Sequence, residues 1–408
     1  MENRANVGAL RVPEIQKAWS VGAWGYAGTR FKSCEWTEVR ILFVDLEREW
    51  RGGQSQALLL LKGLREKGHV VELVSARAAP ITQRAAEAGV PIHQVLRAGL
   101  RLWAARAVRQ LMGSADWDVI HVNEPHALTA AWMAGAHKQA PILLSRRIGF
   151  PLQKNRISRA RYRAVQRFIA NCEAVAQSLV DSGIKRERIA IVNEGVEVPP
   201  APTEELRRAA RKSWGIGEDE FLFGCVSFLL PEKGQKFLIE ALTQVRLEFP
   251  RTRLLLAGDG PCRTELERLA RDLGQSKAVH FAGFVEDVSK VYAALDAFLF
   301  PSLFEGMGTS LQAAMAWGLP AISTARGGLA EVVDDGRTTL VVEPDGKQFA
   351  AAMLRLLREP AYREMLGRAA RREVENRFSA DRMVENTLGI YEEVSAEAKR
   401  APRGATQG

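Results

Sequence analysis

Cysteine is scarce in this chain. Cys34, Cys172, Cys225 and Cys262 are its four cysteines in 408 residues, and none sits at the close spacing of a metal-binding or redox pair. A disulfide framework and a cysteine-ligated zinc site are therefore excluded, and reduced thiols of a cytosolic protein are expected. Histidines number six, with no ligand-spaced pair on an obvious helix, so no metal site is expected. No apolar run approaches the roughly 18 residues that a membrane-spanning helix needs. Residues 1–38 lack the uninterrupted apolar core of a secretion signal.

Acidic side chains are missing from one long stretch. Residues 125–172 hold no Asp or Glu but nine Lys and Arg, among them Arg146, Arg147, Arg156 and Arg161. Just upstream, residues 96–112 read as a basic amphipathic helix. Leu100, Trp103, Ala107 and Leu111 share one face there, with Arg97, Arg101, Arg106 and Arg109 around it. The chain as a whole carries a formal net charge of +9. A basic surface of this kind suits an anionic lipid surface or a phosphorylated substrate, and also an ordinary solvated helix face. Nucleic acid is not expected as a partner, because no nucleic-acid-binding signature accompanies the charge.

What is present is a globular balance, 47% hydrophobic and 26% charged, over a length sufficient for two domains. Residues 1–38 are irregular and precede a clean first strand at residues 39–44. We expect them to form an extension outside the fold, of the kind a start codon placed too early would produce. From residue 39, short apolar runs alternate with amphipathic helices. Strands are expected at residues 70–76, 118–122, 141–145 and 168–170, and the glycine pair Gly52-Gly53 leads into a helix over residues 54–67. The segment VPPAPT at residues 198–203 marks a linker. The alternation then restarts, with strands expected at residues 221–228, 253–257, 279–281 and 297–300. This is the pattern of an α/β protein with two doubly wound parallel sheets facing a central cleft, where ligands bind beyond the carboxyl ends of the strands.

The most informative stretch is residues 298–345. It reads as strand, glycine-spaced loop, helix, strand, glycine pair and short helix, with Glu305 set just before the first helix. Gly306 and Gly308 let backbone approach a ligand closely, and free amides at a helix start favour anionic oxygens. Glu305 can accept hydrogen bonds from sugar hydroxyls beside them. The same glycines would also suit an ordinary turn.

Several landmarks in order resemble glycosyltransferase family 4, which has the GT-B architecture of two Rossmann-like domains. They are PEKG at residues 231–234, LLLAGDGP, GFVEDVSKVYAALDAFLFPS, the EGMG loop, GLPAISTARGGLAEVV and VVEPDG; DVIHVNEPH in the first half fits as well. The resemblance covers about residues 39–396. It implies an N-terminal acceptor-side domain over residues 39–198 and a nucleotide-sugar domain over 199–377. A helix over 378–396 would pack back towards the first domain, and residues 397–408 are expected to be a disordered tail.

The implied reaction is transfer of a sugar from a nucleotide diphosphate donor to an acceptor hydroxyl, with retention of configuration and no enzymic nucleophile required. Lys233 is implied to bind the donor diphosphate and Glu305 the transferred sugar. The donor would lie against Gly52, Gly53, Gly258, Gly260, Gly283, Phe284, Gly306, Met307, Gly308, Thr309 and Ser310. Glu124, His126, Arg146 and Arg147 are candidates for phosphate or acceptor contacts. Beyond the nucleotide sugar as co-substrate, no cofactor and no metal is expected, because Lys233 and the amides can neutralise the leaving diphosphate. The expected partner is a glycan or lipid-linked acceptor of cell-envelope type, at the inner face of the cytoplasmic membrane.

Three positions depart from the family pattern. An arginine common five residues before the lysine is Phe228 here, and a second glutamate eight residues after the first is Ala313. Gln312 adjoins Ala313, but adjacent helix residues do not share a face. Where many relatives have a histidine, this chain has Arg146-Arg147. Arginine binds phosphate bidentately but cannot act as a base at neutral pH, so one of the pair is a candidate replacement for the cation missing at Phe228. The departures keep a second expectation open, a weak or inactive relative that binds a sugar nucleotide or glycan as a partner subunit. An epimerase on the same fold would need a carboxylate set for attack on the sugar, and none is identifiable.

Overall fold

Ile41, Leu42, Phe43 and Val44 are apolar without alternation, and all four are fully buried. A strand of that kind must be covered on both faces, which a parallel sheet between two helical layers provides. The structure, a computed structural model, describes residues 38–96, 99–153 and 155–400. The expected N-terminal extension, apart from Glu38, lies outside the described residues, as do Arg97 and Lys154.

The first sheet contains β1 (Arg40–Asp45), β2 (Val70–Ala76), β3 (Ile92–Val95), β4 (Val119–Val122), β5 (Ile142–Arg146), β6 (Val165–Ala170) and β7 (Ile189–Ile191). All pairings are parallel, in the order β3-β2-β1-β4-β5-β6-β7. The second sheet contains β8 (Phe221–Val226), β9 (Thr252–Ala257), β10 (Val279–Gly283), β11 (Ala297–Phe300), β12 (Ala321–Ser323) and β13 (Leu340–Val341). Its order is β10-β9-β8-β11-β12-β13, again parallel throughout. In each sheet the strand order reverses once, between β1 and β4 and between β8 and β11. The loops leaving those strands part at the reversal and open a crevice at the carboxyl edge.

The basic helix spans Leu100–Ser114 and buries Ala104, Ala105, Val108 and Met112. Trp103 is 47% exposed, contrary to the expected apolar face. Small Ala104 and Ala105 lie against the fold instead, and the indole is turned outward.

The chain ends by returning to its first half. Met383, Val384, Leu388, Tyr391 and Val394 of the helix Ala380–Arg400 share a core with Ile41, Leu61 and Val119. That helix continues through Glu397, which accepts from Arg167, to Lys399, which donates to Asp118. The segment expected as a tail is thus ordered helix as far as Arg400, and residues 401–408 lie outside the described residues. Beneath this helix, Tyr391 is hydrogen-bonded to His121 Nδ1, and His121 Nε2 to Ser145 Oγ at 2.7 Å. Burial, with the Arg147 guanidinium nearby, pushes the imidazole down to about 3, so His121 is neutral at ordinary pH. Tyr391→Phe would leave one buried ring nitrogen without a partner. The expected cost is about 1–3 kcal/mol in urea unfolding.

Candidate active site

The turn after β8 and the turn after β11 meet at the reversal point of the second sheet. Pro231–Lys233 forms one turn of 3-10 helix, ended by Gly234 in the left-handed region at φ 68°. A Cβ there would sit 2.3 Å from the Pro301 carbonyl oxygen, so glycine lets the two turns touch. Leu303 N donates to Glu232 O at 2.7 Å and stitches them together. Lys233 Nζ then donates to Glu305 Oε2 at 2.6 Å. Both side chains are largely buried, at 20% and 19% exposure.

Glu305 starts the glycine loop. Gly308, at φ 61°, caps the helix Thr309–Ala316, whose first amides have no carbonyl one turn earlier to bond. Met307 is buried, so its side chain serves the core and the loop presents backbone. The glycine pair after β12 supports this loop from behind. Gly328 N donates to Glu305 O at 3.1 Å, and a Cβ on Gly328 would fall 2.1 Å from Gly306 O.

Gly258, Gly260 and Gly283 lie one layer further back. Gly258 N donates to Gly283 O at 2.7 Å, and a Cβ at Gly258 would meet Ser227 O at 2.0 Å. A Cβ at Gly260 would meet Leu229 O at 2.5 Å. These glycines allow their loop to stack on residues 227–229, which lead into the Lys233 turn. Phe284 is 75% exposed beside them and Phe228 is 66% exposed. Gln312 is fully buried with neither amide atom hydrogen-bonded, so it does not take the place of the glutamate absent at Ala313.

The first half contributes Gly53 and Arg147. A Cβ on Gly53 would lie 3.8 Å from Arg147 Nη1, and one on Gly306 would lie 3.8 Å from the Arg147 carbonyl oxygen. Arg147 therefore stands between the first glycine loop and the EGMG loop. Its Nη1 donates to Asn123 Oδ1 at 2.7 Å, and its Nε is 3.5 Å from Glu194 Oε1. Asn123 Nδ2 in turn donates to Asp45 Oδ2 at 2.6 Å, and Gln54 Nε2 reaches the same oxygen at 3.1 Å. Burial pulls the arginine below its ordinary value while Glu194 and Asp45 oppose that shift. Asn123, Asp45, Gln54 and Glu194 were not among the expected site residues. Asn123 lies in the NEPH motif, but its partners are 78 and 24 positions away and no local pattern marks them. Arg146 turns elsewhere and donates to Phe150 O at 2.7 Å.

Glu124 and His126 flank the reversal point of the first sheet. The Glu124 carboxylate accepts from Leu46 N at 3.2 Å, Ala127 N at 2.7 Å and His126 N, capping the helix Pro125–Met133. That engagement makes it the side-chain cap of this helix. Burial, followed by the nearby Asp45 charge, pushes it up to about 7. His126 faces a groove of about 480 Å³ shared with Leu46, Glu47, Gly99, Leu100, Arg101 and Leu102. Among the described residues, no group of three or more His, Cys, Asp or Glu is placed to hold a metal ion.

Comparison with known proteins agrees with this arrangement. Residues 207–373 match the model for glycosyl transferases group 1, and residues 50–198 match glycosyltransferase family 4. Spore coat protein SA of Bacillus subtilis is 30% identical over 315 residues, covering 70% of this chain and 81% of that protein. The chain belongs to the GT-B glycosyltransferases of the family 4 type. A GDP-mannose-dependent monoacylated alpha-(1-6)-phosphatidylinositol monomannoside mannosyltransferase of Corynebacterium glutamicum is 33% identical over 199 residues, 47% of this chain and 52% of that enzyme. This GT-B chain thus spans about half the length of several curated relatives it matches. Among solved structures, a glycosyltransferase from Rickettsia africae superposes with a TM-score of 0.78 at 18% identity, covering 88% of this chain and 99% of that one. Anabaena HepE, in complex with UDP and glucose, gives 0.76 at 20% identity, covering 87% and 100%. At those identities the likeness establishes the fold.

Proposed function

We propose that this GT-B chain transfers a sugar from a nucleotide diphosphate sugar to an acceptor hydroxyl, with retention of configuration and without a metal. The observation that carries this reading is the meeting of Lys233 and Glu305 at the reversal point of the second sheet, opposite Arg147. Cleavage of the sugar–phosphate bond leaves negative charge on the diphosphate. A lysine and preset backbone amides aimed at that charge lower the barrier. Glu305 lies beside them and positions the sugar by accepting from its hydroxyls. The acceptor hydroxyl attacks on the face where the diphosphate departs, so no enzyme nucleophile is used, and the departing diphosphate takes the proton. The binding of UDP and glucose by HepE favours a nucleotide sugar as donor.

The acceptor we assign to the groove beside His126. Leu46, Leu100 and Leu102 line it with Arg101, and Phe150 and Ile157 are exposed on the same half at 66% and 65%. Apolar surface next to guanidinium suits a lipid-linked or glycolipid cell-envelope precursor at an anionic membrane surface. No described helix is long and apolar enough to cross a membrane.

Thermal unfolding with a panel of sugar nucleotides in EDTA tests the donor half of the reading. A matching donor at about 100 times its Kd should stabilise the protein by about 2.7 kcal/mol. No shift with any donor, or a shift only after adding Mg²⁺ or Mn²⁺, contradicts it. Phe228 and Ala313 favour a second reading, a sugar-nucleotide-binding partner subunit without turnover. Stabilisation by a donor with no release of nucleoside diphosphate would support that alternative.

A further inference from the structure

Lys233 and Glu305 serve different parts of the donor in the reading above, yet each is the other's partner. Lys233 Nζ lies 2.6 Å from Glu305 Oε2. The remaining contacts of Glu305 are longer: Gly306 N at 3.3 Å and Ser302 Oγ at 3.5 Å. Lysine is therefore its principal counter-charge. Both side chains are largely buried, so a Glu305 carboxylate without its cation is costly. The hydrogen bond from Leu303 N to Glu232 O and the close approach of Gly234 to Pro301 fix the two turns. The pair must then open by rotation of the side chains, not by separation of the loops.

Resting on the donor-site reading, we propose that this ion pair discriminates a sugar-bearing nucleotide from the bare nucleoside diphosphate. A diphosphate that takes Lys233 leaves Glu305 without its cation and next to new negative charge. A donor with its sugar attached offers hydroxyls to Glu305 at the same moment. The bare nucleoside diphosphate offers none, so it must break the pair uncompensated. After transfer the sugar leaves with the acceptor, Glu305 loses its hydroxyl donors, and the carboxylate retakes Lys233. Re-forming the pair weakens the hold on the product diphosphate and promotes its release.

The consequence is an opposite response of two ligands to one substitution. Calorimetric titration of wild type, Glu305→Gln and Lys233→Ala with UDP, GDP, UDP-glucose and GDP-mannose reads it. Glu305→Gln removes the competitor for Lys233, so it should bind the matching nucleoside diphosphate roughly tenfold tighter than wild type. It should bind the matching sugar nucleotide no tighter, so the preference for the sugar-bearing form shrinks. Glu305→Ala, checked by circular dichroism, should show the same tightening and covers the case in which the glutamine variant folds poorly. Equal or weaker binding of the nucleoside diphosphate by both Glu305 variants, with Lys233→Ala still weakening it, overturns the discrimination alone. If none of the four ligands binds wild type, or Lys233→Ala leaves affinity unchanged, the donor site itself is wrong and the inference falls with it.

Discussion

Replacing Lys233 with alanine should lower kcat/KM for donor turnover by about 10²–10³, the loss typical of removing one preset donor from a site of developing charge. The reason is positional. Lys233 follows β8 and Glu305 follows β11, and the sheet order reverses between those strands. With Phe228 in place of a second cation, the proposed reaction would place more of the charge stabilisation on Lys233. The same substitution should also lower stability, because it leaves the largely buried Glu305 carboxylate without its cation. A fall in kcat/KM seen only at temperatures where the variant has begun to unfold would instead mean that Lys233 holds the fold.

The second large effect is expected at a residue that touches no ligand. Gly328→Ala places a Cβ where Gly306 O lies 2.1 Å away and its carbonyl carbon 2.8 Å away. Neither is the end of a yielding side chain, so the Glu305–Gly306 backbone must move. A displacement near 1 Å at a reacting centre costs about 10² in rate. Crowding of this kind also costs about 1–3 kcal/mol in stability. Gly113→Ala is the control, since nothing lies within 4 Å of a Cβ there. Turnover unchanged in Gly328→Ala would show that the EGMG loop is not held by the glycine pair.

How much of this was legible in the sequence follows from how local each feature is. The strands β1, β8, β9 and β11 contain apolar runs of four or more residues, and the glycine loop with Glu305 is a contiguous motif, so both were readable. β3 and β7 were not expected. They have four and three residues, and β3 buries only Val95, so neither carries a clear apolar signal. Of the apolar face Leu100, Trp103, Ala107 and Leu111, only Trp103 departs: the other three pack against the core beside Ala104 and Ala105, and the indole is 47% exposed. Glu124 is a candidate ligand contact in the sequence because the NEPH motif follows a strand that ends at the cleft. Its role as a cap depends on three amides, one of them 78 positions earlier. The Asp45–Asn123–Arg147–Glu194 network was invisible for the same reason, since it exists only once β1, β4 and β5 lie side by side. Arg147 is one of four candidates for a phosphate or acceptor contact in the sequence, and the structure adds its contacts with Asn123 and Glu194.

The most direct test of the account is release of nucleoside diphosphate from a panel of sugar nucleotides by the purified protein in EDTA. Release from at least one donor is expected, with release lost in both Lys233→Ala and Glu305→Ala while both variants remain folded. Release that persists in both variants, or no release from any donor with and without acceptor extracts, would contradict it.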